Sequence, residues 1–310
     1  MPRSEGSSSL TEHDLDALIQ QTAQLQKPGK AHTVFYYASR RFARNRVAVT
    51  GLVLVTLLLV MAIAAPWIAP SDPNDQAFLD LVGKPPSWQH PMAVDTLGRD
   101  YWSRIVYGAR ISLSVGIMAT LVSFAIGLPL GAAAGMLGGV VDWIVMRTTE
   151  VLGTIPSLLL GILILVLLGT GVQNMLIAIA VTGWIGAARL IRGQVFSVRE
   201  EDYVWAARSL GLTNWDIMWQ HLIPNSFAPL LISMATAIPG AIMAEAGLSF
   251  LGIGINPPTA SWGQMLSEGL PWVRSYWWLA AWPAVMVALA MLAFNFVADG
   301  LRDALDPHAR

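Results

Sequence analysis

Long uncharged runs of apolar residues dominate the sequence. A bilayer core of about 30 Å requires roughly 20 helical residues to cross it. Four runs reach that length, at 47–69, 111–141, 151–188 and 275–298. The third is too long for one crossing and is interrupted by a polar, glycine-containing hexapeptide at 169–174, which predicts a helical hairpin. A further stretch from about 224 to 255 holds one acid, Glu245, and can cross once. The pattern predicts an all-α integral membrane protein with six transmembrane helices.

These runs divide the chain into segments. We expect an N-terminal tail at 1–46, a first transmembrane helix at 47–69, an outer loop at 70–110, a core transmembrane domain at 111–300 and a tail at 301–310. Within the core we expect helices at about 111–137, 144–168, 174–194, 225–254 and 277–299, with a connecting loop at 195–224.

Basic residues are distributed unequally between the two sides of this arrangement. Six crossings place both termini on one side, which receives about fourteen Lys and Arg against about five on the other. Arg40, Arg41, Arg44 and Arg46 directly precede the first crossing. Since cytoplasmic loops retain basic residues, both termini are predicted to be cytoplasmic. A cleaved signal peptide is the less favoured interpretation of the first run, because leader and run both exceed the usual size.

The composition excludes several classes of function. Charged residues make up 13% of the 310 residues, about half the share in a soluble domain, and the formal net charge is −1. A general affinity for nucleic acid requires clustered basic residues, so no nucleic-acid role is expected. Cysteine is absent, which excludes disulfides and thiolate chemistry.

The segment from Arg189 to Asn225 is the longest predicted cytoplasmic connection. Three acids, Glu200 to Asp202, favour the start of a short helix, and Gly211 is a plausible C-terminal cap. Ala206, Ala207 and Ser209 give this helix a face of small side chains that another protein could approach closely. An ordinary amphipathic connector would have the same pattern.

The outer loop contains a second candidate helix, from Arg99 to Tyr107. Its apolar residues recur at helical spacing, which predicts a surface-lying anchor whose Arg99 and Arg104 reach lipid headgroups. The alternative is a docking surface for an extracytoplasmic partner.

A few polar or small residues fall within or beside the predicted spans. Glu245 could line a path or couple to protons, or it could accept a hydrogen bond from Asn295 or a neighbouring Ser, or lie at a subunit contact. Local ion pairing is expected among Asp142, Arg147 and Glu150. The four-residue spacing of glycines predicts close helix packing. These glycines are Gly127, Gly131 and Gly135.

Catalytic and cofactor motifs are missing from the sequence. No Gly-rich phosphate-binding loop with a following Lys occurs, so any ATP must be bound by another chain. The five histidines are scattered without metal-site spacing, and we expect no metal, no cofactor and no catalytic residue.

Several stretches together resemble one family. Ala206-Ala207, Gly211 and Pro224-Asn225 resemble the Glu-Ala-Ala loop of ABC-importer permeases. Four further stretches resemble the C-type permease subunit of oligopeptide and dipeptide importers, from about residue 36 to the C-terminus. They are Gly98 to Asp100 with 107–113, 248–252, 261–263 and 299–307. The chain departs from the pattern at Trp205, where the family name implies Glu.

The resemblance implies a type I ABC-importer permease with a cytoplasmic coupling helix, in the inner membrane of a bacterium. The residues that it assigns to ATPase coupling are Asp202, Tyr203, Ala206, Ala207, Arg208, Gly211 and Pro224, and those that it suggests for binding-protein docking are Arg99, Asp100 and Trp262. The implied partners are a second, homologous permease in a heterodimer, two ABC ATPases that bind ATP and Mg, an extracytoplasmic peptide-binding protein and the lipid bilayer. Nickel chelates or oligosaccharides are alternative cargoes, and an ion-coupled secondary transporter is the less favoured alternative.

Overall fold

The computed structural model describes residues 31–305, so the parts of the predicted tails at 1–30 and 306–310 lie outside the described residues. Helices make up most of this range, and no β-strand occurs within it. The helices are α1 (Ala31–Arg44), α2 (Arg46–Ile63), α3 (Ala65–Ile68), α4 (Tyr101–Leu137), α5 (Gly139–Gly153), α6 (Ser157–Leu168), α7 (Val172–Arg199), α8 (Asp202–Ser209), α9 (Asn214–Ile217), α10 (Ile223–Phe250), α11 (Trp262–Gly269) and α12 (Trp278–Leu305).

Five of these helices, α2, α4, α7, α10 and α12, are long and apolar enough to cross a membrane. The pair α5 and α6 passes the same test jointly but is bent by 88°. Counting this pair as one broken crossing gives six, which agrees with the predicted all-α membrane fold. Alternate crossings then bring α1, α5 and α8 to one end of the bundle, the α8 end. The loop 69–100 and α11 lie at the other, the loop end.

The third crossing differs from the single helix expected at 144–168. Helix α5 ends at Gly153, and α6 begins only after Pro156. Proline lacks a backbone N–H and disfavours helical geometry in the residue before it, which explains the break. Helix α6 alone spans about 18 Å, too little for a bilayer core.

Helix α4 also differs from the sequence expectation at its start. It begins at Tyr101 and continues without a break to Leu137. The predicted interfacial helix and second crossing are therefore one element. Asp100 caps it, since its Oδ2 accepts a hydrogen bond of 2.8 Å from the Ser103 backbone N–H.

Close packing of α4 against α7 forms the centre of the bundle. A Cβ atom at Gly127 would lie 2.7 Å from Ala187 Cβ, and one at Gly135 would lie 2.8 Å from Val195 Cβ. At Gly131 it would meet the carbonyl oxygen of Ala188. Only glycine permits this approach of the two backbones, so the predicted packing role of the three glycines is confirmed.

The entry into α10 is continuous with α9 through a π-helical turn, Met218–Leu222. The Ile223 N–H bonds the Met218 carbonyl five residues back. Pro224 follows directly, where its missing N–H would interrupt a regular α-helix. The chain therefore passes from α9 into α10, the fifth crossing, without a break in the helix.

Candidate functional site

Helix α8 ends in a glycine-dependent turn. The Gly211 N–H bonds the Arg208 carbonyl at 2.9 Å, and the Leu212 N–H bonds the Ala207 carbonyl at 3.2 Å. This is the Schellman pattern, which requires a left-handed residue, and Gly211 has φ of +87°. The predicted C-terminal cap is confirmed.

A capping box starts α9 immediately afterwards. The Asp216 N–H donates to Thr213 Oγ1 at 3.2 Å, while the Thr213 N–H and hydroxyl donate to Asp216 Oδ2 at 3.2 and 2.5 Å. The hydrogen bond from the Thr213 hydroxyl has the largest effect on the Asp216 carboxyl and lowers its pKa, and the bond from the Thr213 N–H lowers it further. Caps at both junctions fix the path of the chain from α8 into α10.

The two faces of α8 have different environments. Val204 and Ala207 are buried in a cluster with Ile191 and Val195 of α7, Leu222 of the π-helical turn and Leu230 of α10. Asp202, Tyr203, Trp205, Ala206 and Ser209 are exposed. The small-residue face expected from the sequence is therefore divided, because Ala207 packs inward and only Ala206 and Ser209 lie on the surface.

Trp205 stands at the centre of the exposed face. Its side chain is 52% exposed, and the Arg208 guanidinium lies 5.1 Å from its ring centroid. An aromatic ring stacked under a cation is a combination that protein interfaces favour. Pro224, the last residue that the family pattern pointed to, is exposed near the start of α10 and lies outside α8.

A cavity of about 480 Å³ lies between α4, α6, α7 and α10. Its walls carry no charged residue and consist mainly of Gly, Ala and larger apolar side chains, with a few hydroxyls. The Thr182 hydroxyl donates to the Ile179 carbonyl at 2.9 Å, so it offers the cavity an acceptor. The position of this cavity could not be predicted from the sequence, since small residues at helical spacing indicate close packing equally well.

Glu245 lies beside this region but not in the cavity wall. Its side chain is fully buried; Oε2 accepts a hydrogen bond from Ser112 Oγ at 2.8 Å, and Oε1 accepts one from Ser249 Oγ at 2.9 Å. The Trp262 N–H donates in turn to Ser112 Oγ at 3.1 Å. These contacts match the predicted alternative of a serine hydrogen bond, which joins α10 to α4 and α11.

The residues suggested for binding-protein docking are all buried. Arg99, Asp100 and Trp262 are at most 3% exposed. Trp262 Nε1 donates to the Ile105 carbonyl at 3.0 Å, and Asp100 caps α4. These side chains therefore offer a partner no surface of their own.

Arg99 and Arg104 do not extend toward headgroups either. The Arg99 guanidinium contacts Asp95 at 2.5 Å, and the Arg99 and Arg104 guanidinium groups contact Glu268 at 3.0 and 3.2 Å. The expectation of a lipid-facing anchor is thus wrong, because two carboxylates from the loop and α11 pair with the arginines inside the protein. These carboxylates were not singled out from the sequence.

Two of the three residues expected to pair locally do so. Arg147 contacts Glu150 at 3.0 Å, whereas Asp142 pairs with Arg192 on α7. Within residues 31–305, no group of three or more His, Asp or Glu side chains could hold a metal ion.

Comparisons with known proteins agree with this architecture. The family described as binding-protein-dependent transport system inner membrane component matches residues 127–310. The N-terminal TM domain of oligopeptide transport permease C matches residues 33–86. The chain therefore belongs to the family of binding-protein-dependent transport system inner membrane components.

Three relatives illustrate the range of named functions. The dipeptide transport system permease protein of Bacillus subtilis (strain 168) is 44% identical over 88% of this chain and 85% of its own length. The oligopeptide transport system permease protein of the same organism is 41% identical over 91% of this chain and 92% of its own length. The glutathione transport system permease protein of Escherichia coli O157:H7 is 40% identical over 91% and 93%, respectively.

Proposed function

We propose that this chain is one transmembrane half of an ATP-driven importer of short peptides. The names of its relatives support peptide cargo, and glutathione is itself a modified tripeptide. A solute-binding protein delivers the cargo on the loop-end side, and a second, homologous permease completes the path. Two ABC ATPases bind ATP and Mg on the α8-end side, which is the cytoplasm of a bacterium.

The attachment of α8 carries this proposal. Val204 and Ala207 lie in one buried cluster with side chains of α7, the π-helical turn and α10, and both α7 and α10 supply walls of the cavity. Because the Gly211 turn and the capping box of α9 follow α8 directly, a displacement of this helix is transmitted toward α10 rather than absorbed in a flexible loop. Coupling between distant sites needs such a connected two-state element.

The cavity supports the assignment of the path. It lies between four helices in the membrane region, and its uncharged walls tolerate side chains of different kinds. Cargo selection then belongs mainly to the binding protein. Nickel chelates or oligosaccharides would need the same architecture with a different binding protein.

Paired cysteine variants test the coupling surface. In the complete transporter, Ala206→Cys should cross-link to an ATPase subunit, since Ala206 is exposed on α8. Ala207→Cys is the matched control, because its side chain is 5% exposed and packs inward. Cross-linking from Ala207 alone, or labelling of Ala206→Cys only from outside the cell, would contradict the proposal.

Reconstitution tests the cargo and the source of energy. We expect uptake of di- and oligopeptides into vesicles to require ATP, the ATPases and the binding protein. Uptake by this chain without ATPases that collapses with the proton gradient would instead support the ion-coupled alternative. ATP-dependent uptake of nickel chelates or oligosaccharides, but not peptides, would keep the architecture and change the cargo.

A further inference from the structure

Helix α1 presents a face of arginine and tyrosine side chains. At 100° per residue, Tyr36, Tyr37, Arg40, Arg41 and Arg44 fall within an arc of about 140°. All five are exposed, and Tyr36 and Tyr37 retain 61% and 56% of their accessible surface. No acidic residue occurs between 36 and 44. We refer to these five residues as the Tyr36–Arg44 face.

The opposite face of α1 is packed against the bundle. Ala38 is buried, and Phe42 lies against α12, where a Cβ atom at Gly300 would be 3.0 Å from the Phe42 ring. The helix is thus held with one side on the protein and the Tyr36–Arg44 face directed away from it.

The junction with α2 places this face at the membrane boundary. Asn45 caps α2 by accepting hydrogen bonds from Val47 and Ala48 at 3.0 and 3.2 Å, and it donates to Asp303 of α12 at 3.1 Å. The apolar span begins at Arg46, one residue later. The Tyr36–Arg44 face is therefore adjacent to the headgroup layer.

The chemistry of the face fits a phosphodiester. Guanidinium groups bind phosphate oxygens with paired hydrogen bonds, and tyrosine rings favour the headgroup level of a bilayer. Basic clusters next to a span attract anionic lipids. We propose that the Tyr36–Arg44 face binds the headgroup phosphates of anionic phospholipids in the adjacent leaflet, independently of the transported cargo.

Lipid titration of the purified complete transporter tests this proposal. After delipidation, native mass spectrometry counts the phosphatidylglycerol or phosphatidylcholine molecules bound at each lipid concentration. We expect the wild type to retain phosphatidylglycerol in preference to phosphatidylcholine. Arg40→Gln with Arg44→Gln should weaken phosphatidylglycerol binding about tenfold or more, because each basic residue near the surface contributes substantially.

Two matched variants separate charge from folding. Arg110→Gln with Arg274→Gln removes two exposed charges elsewhere, near the loop end, and should leave phosphatidylglycerol binding unchanged. Arg40→Lys with Arg44→Lys keeps the charges and should retain most of the binding. A loss in the lysine variant as large as in the glutamine variant would overturn the charge argument.

The same experiment distinguishes a lipid on this face from a free phosphate or a protein. Equal retention of both lipids by the wild type, or unchanged phosphatidylglycerol binding in the glutamine variant, would overturn the proposal. Displacement of phosphatidylglycerol by soluble glycerol phosphate at similar concentration would indicate a site for free phosphate. Loss of ATPase co-purification with unchanged lipid binding would indicate a protein contact.

Discussion

Arg192 on α7 binds Asp142 on α5 through two guanidinium–carboxylate contacts, one of which joins Nη2 and Oδ2 at 2.6 Å. Three residues along α7, Arg189 donates to the Thr149 carbonyl at 2.6 Å and to its hydroxyl at 3.1 Å. Thr149 is the only buried residue of α5. Helix α5 is thus attached to α7 largely by polar contacts, in contrast to the packed glycines of α4.

This attachment predicts coupling between Asp142 and Arg192. Asp142→Asn and Arg192→Gln should each lower the free energy of unfolding, and the pair should show a coupling energy of about 1 kcal/mol because both groups retain solvent contact. Thermal unfolding of the wild type, the two single variants and the double variant in detergent measures this coupling energy. Strictly additive effects would show that the ion pair does not hold α5.

The turn after α8 predicts a specific effect at Gly211. Gly211→Val should strain a left-handed residue by about 1–2 kcal/mol and weaken association with the ATPases while leaving membrane insertion intact. Gly193→Val is the matched control, since Gly193 lies in α7 with open space around its Cβ position. Co-purification of the ATPases measures the effect. Equal yields with both variants would argue against the role of this turn.

The α4–α7 contact predicts a severe effect at Gly131. Gly131→Val would push a Cβ atom into the Ala188 carbonyl and within 3.0 Å of Ile191 Cβ. We expect a loss of about 1–3 kcal/mol or more in stability, because a backbone carbonyl cannot move aside as a side chain can. Gly186→Val, where nothing lies within 4 Å, should fold nearly normally. Monodisperse yield and thermal unfolding distinguish the two.

The hydrogen bonds of Glu245 predict a graded loss of stability among variants at this position. Glu245→Gln retains one acceptor, whereas Glu245→Leu leaves the Ser112 and Ser249 hydroxyls without their carboxylate and should cost about 1–3 kcal/mol per orphaned group. Adding Ser112→Ala and Ser249→Ala to the Leu variant should restore part of the stability. Glu245→Gln should retain ATP-dependent uptake. A stable Glu245→Gln variant that has lost all uptake would support proton coupling.

Elements that depend on local sequence could be predicted. Uninterrupted apolar length located the spans, the hexapeptide at 169–174 marked the hairpin, and Gly211 marked the end of α8. Each of these signals acts within a few residues. The break before α6 is also encoded locally, at Pro156, but the apolar run continues through this residue from 151 to 168 and favours an unbroken helix.

Contacts between distant segments could not be predicted. Arg99 and Arg104 lie in an amphipathic pattern that suits a membrane surface, yet Glu268, more than 160 residues away, pairs with both. Ala206 and Ala207 are chemically identical neighbours, and only the packing of α8 into its buried cluster decides which one faces outward. Pairing between distant segments and the orientation of neighbouring residues depend on tertiary contacts, which no local sequence pattern indicates.

The division of α8 into a packed side and a free side has an evolutionary consequence. Val204 and Ala207 are constrained by the shape of the bundle, whereas Trp205 meets no such requirement. If α8 contacts the ATPases as proposed, substitutions at Trp205 would alter which ATPase subunit is accepted and leave the transmembrane bundle intact. In a cell with several related importers, such substitutions would then help to keep each permease with its own ATPases.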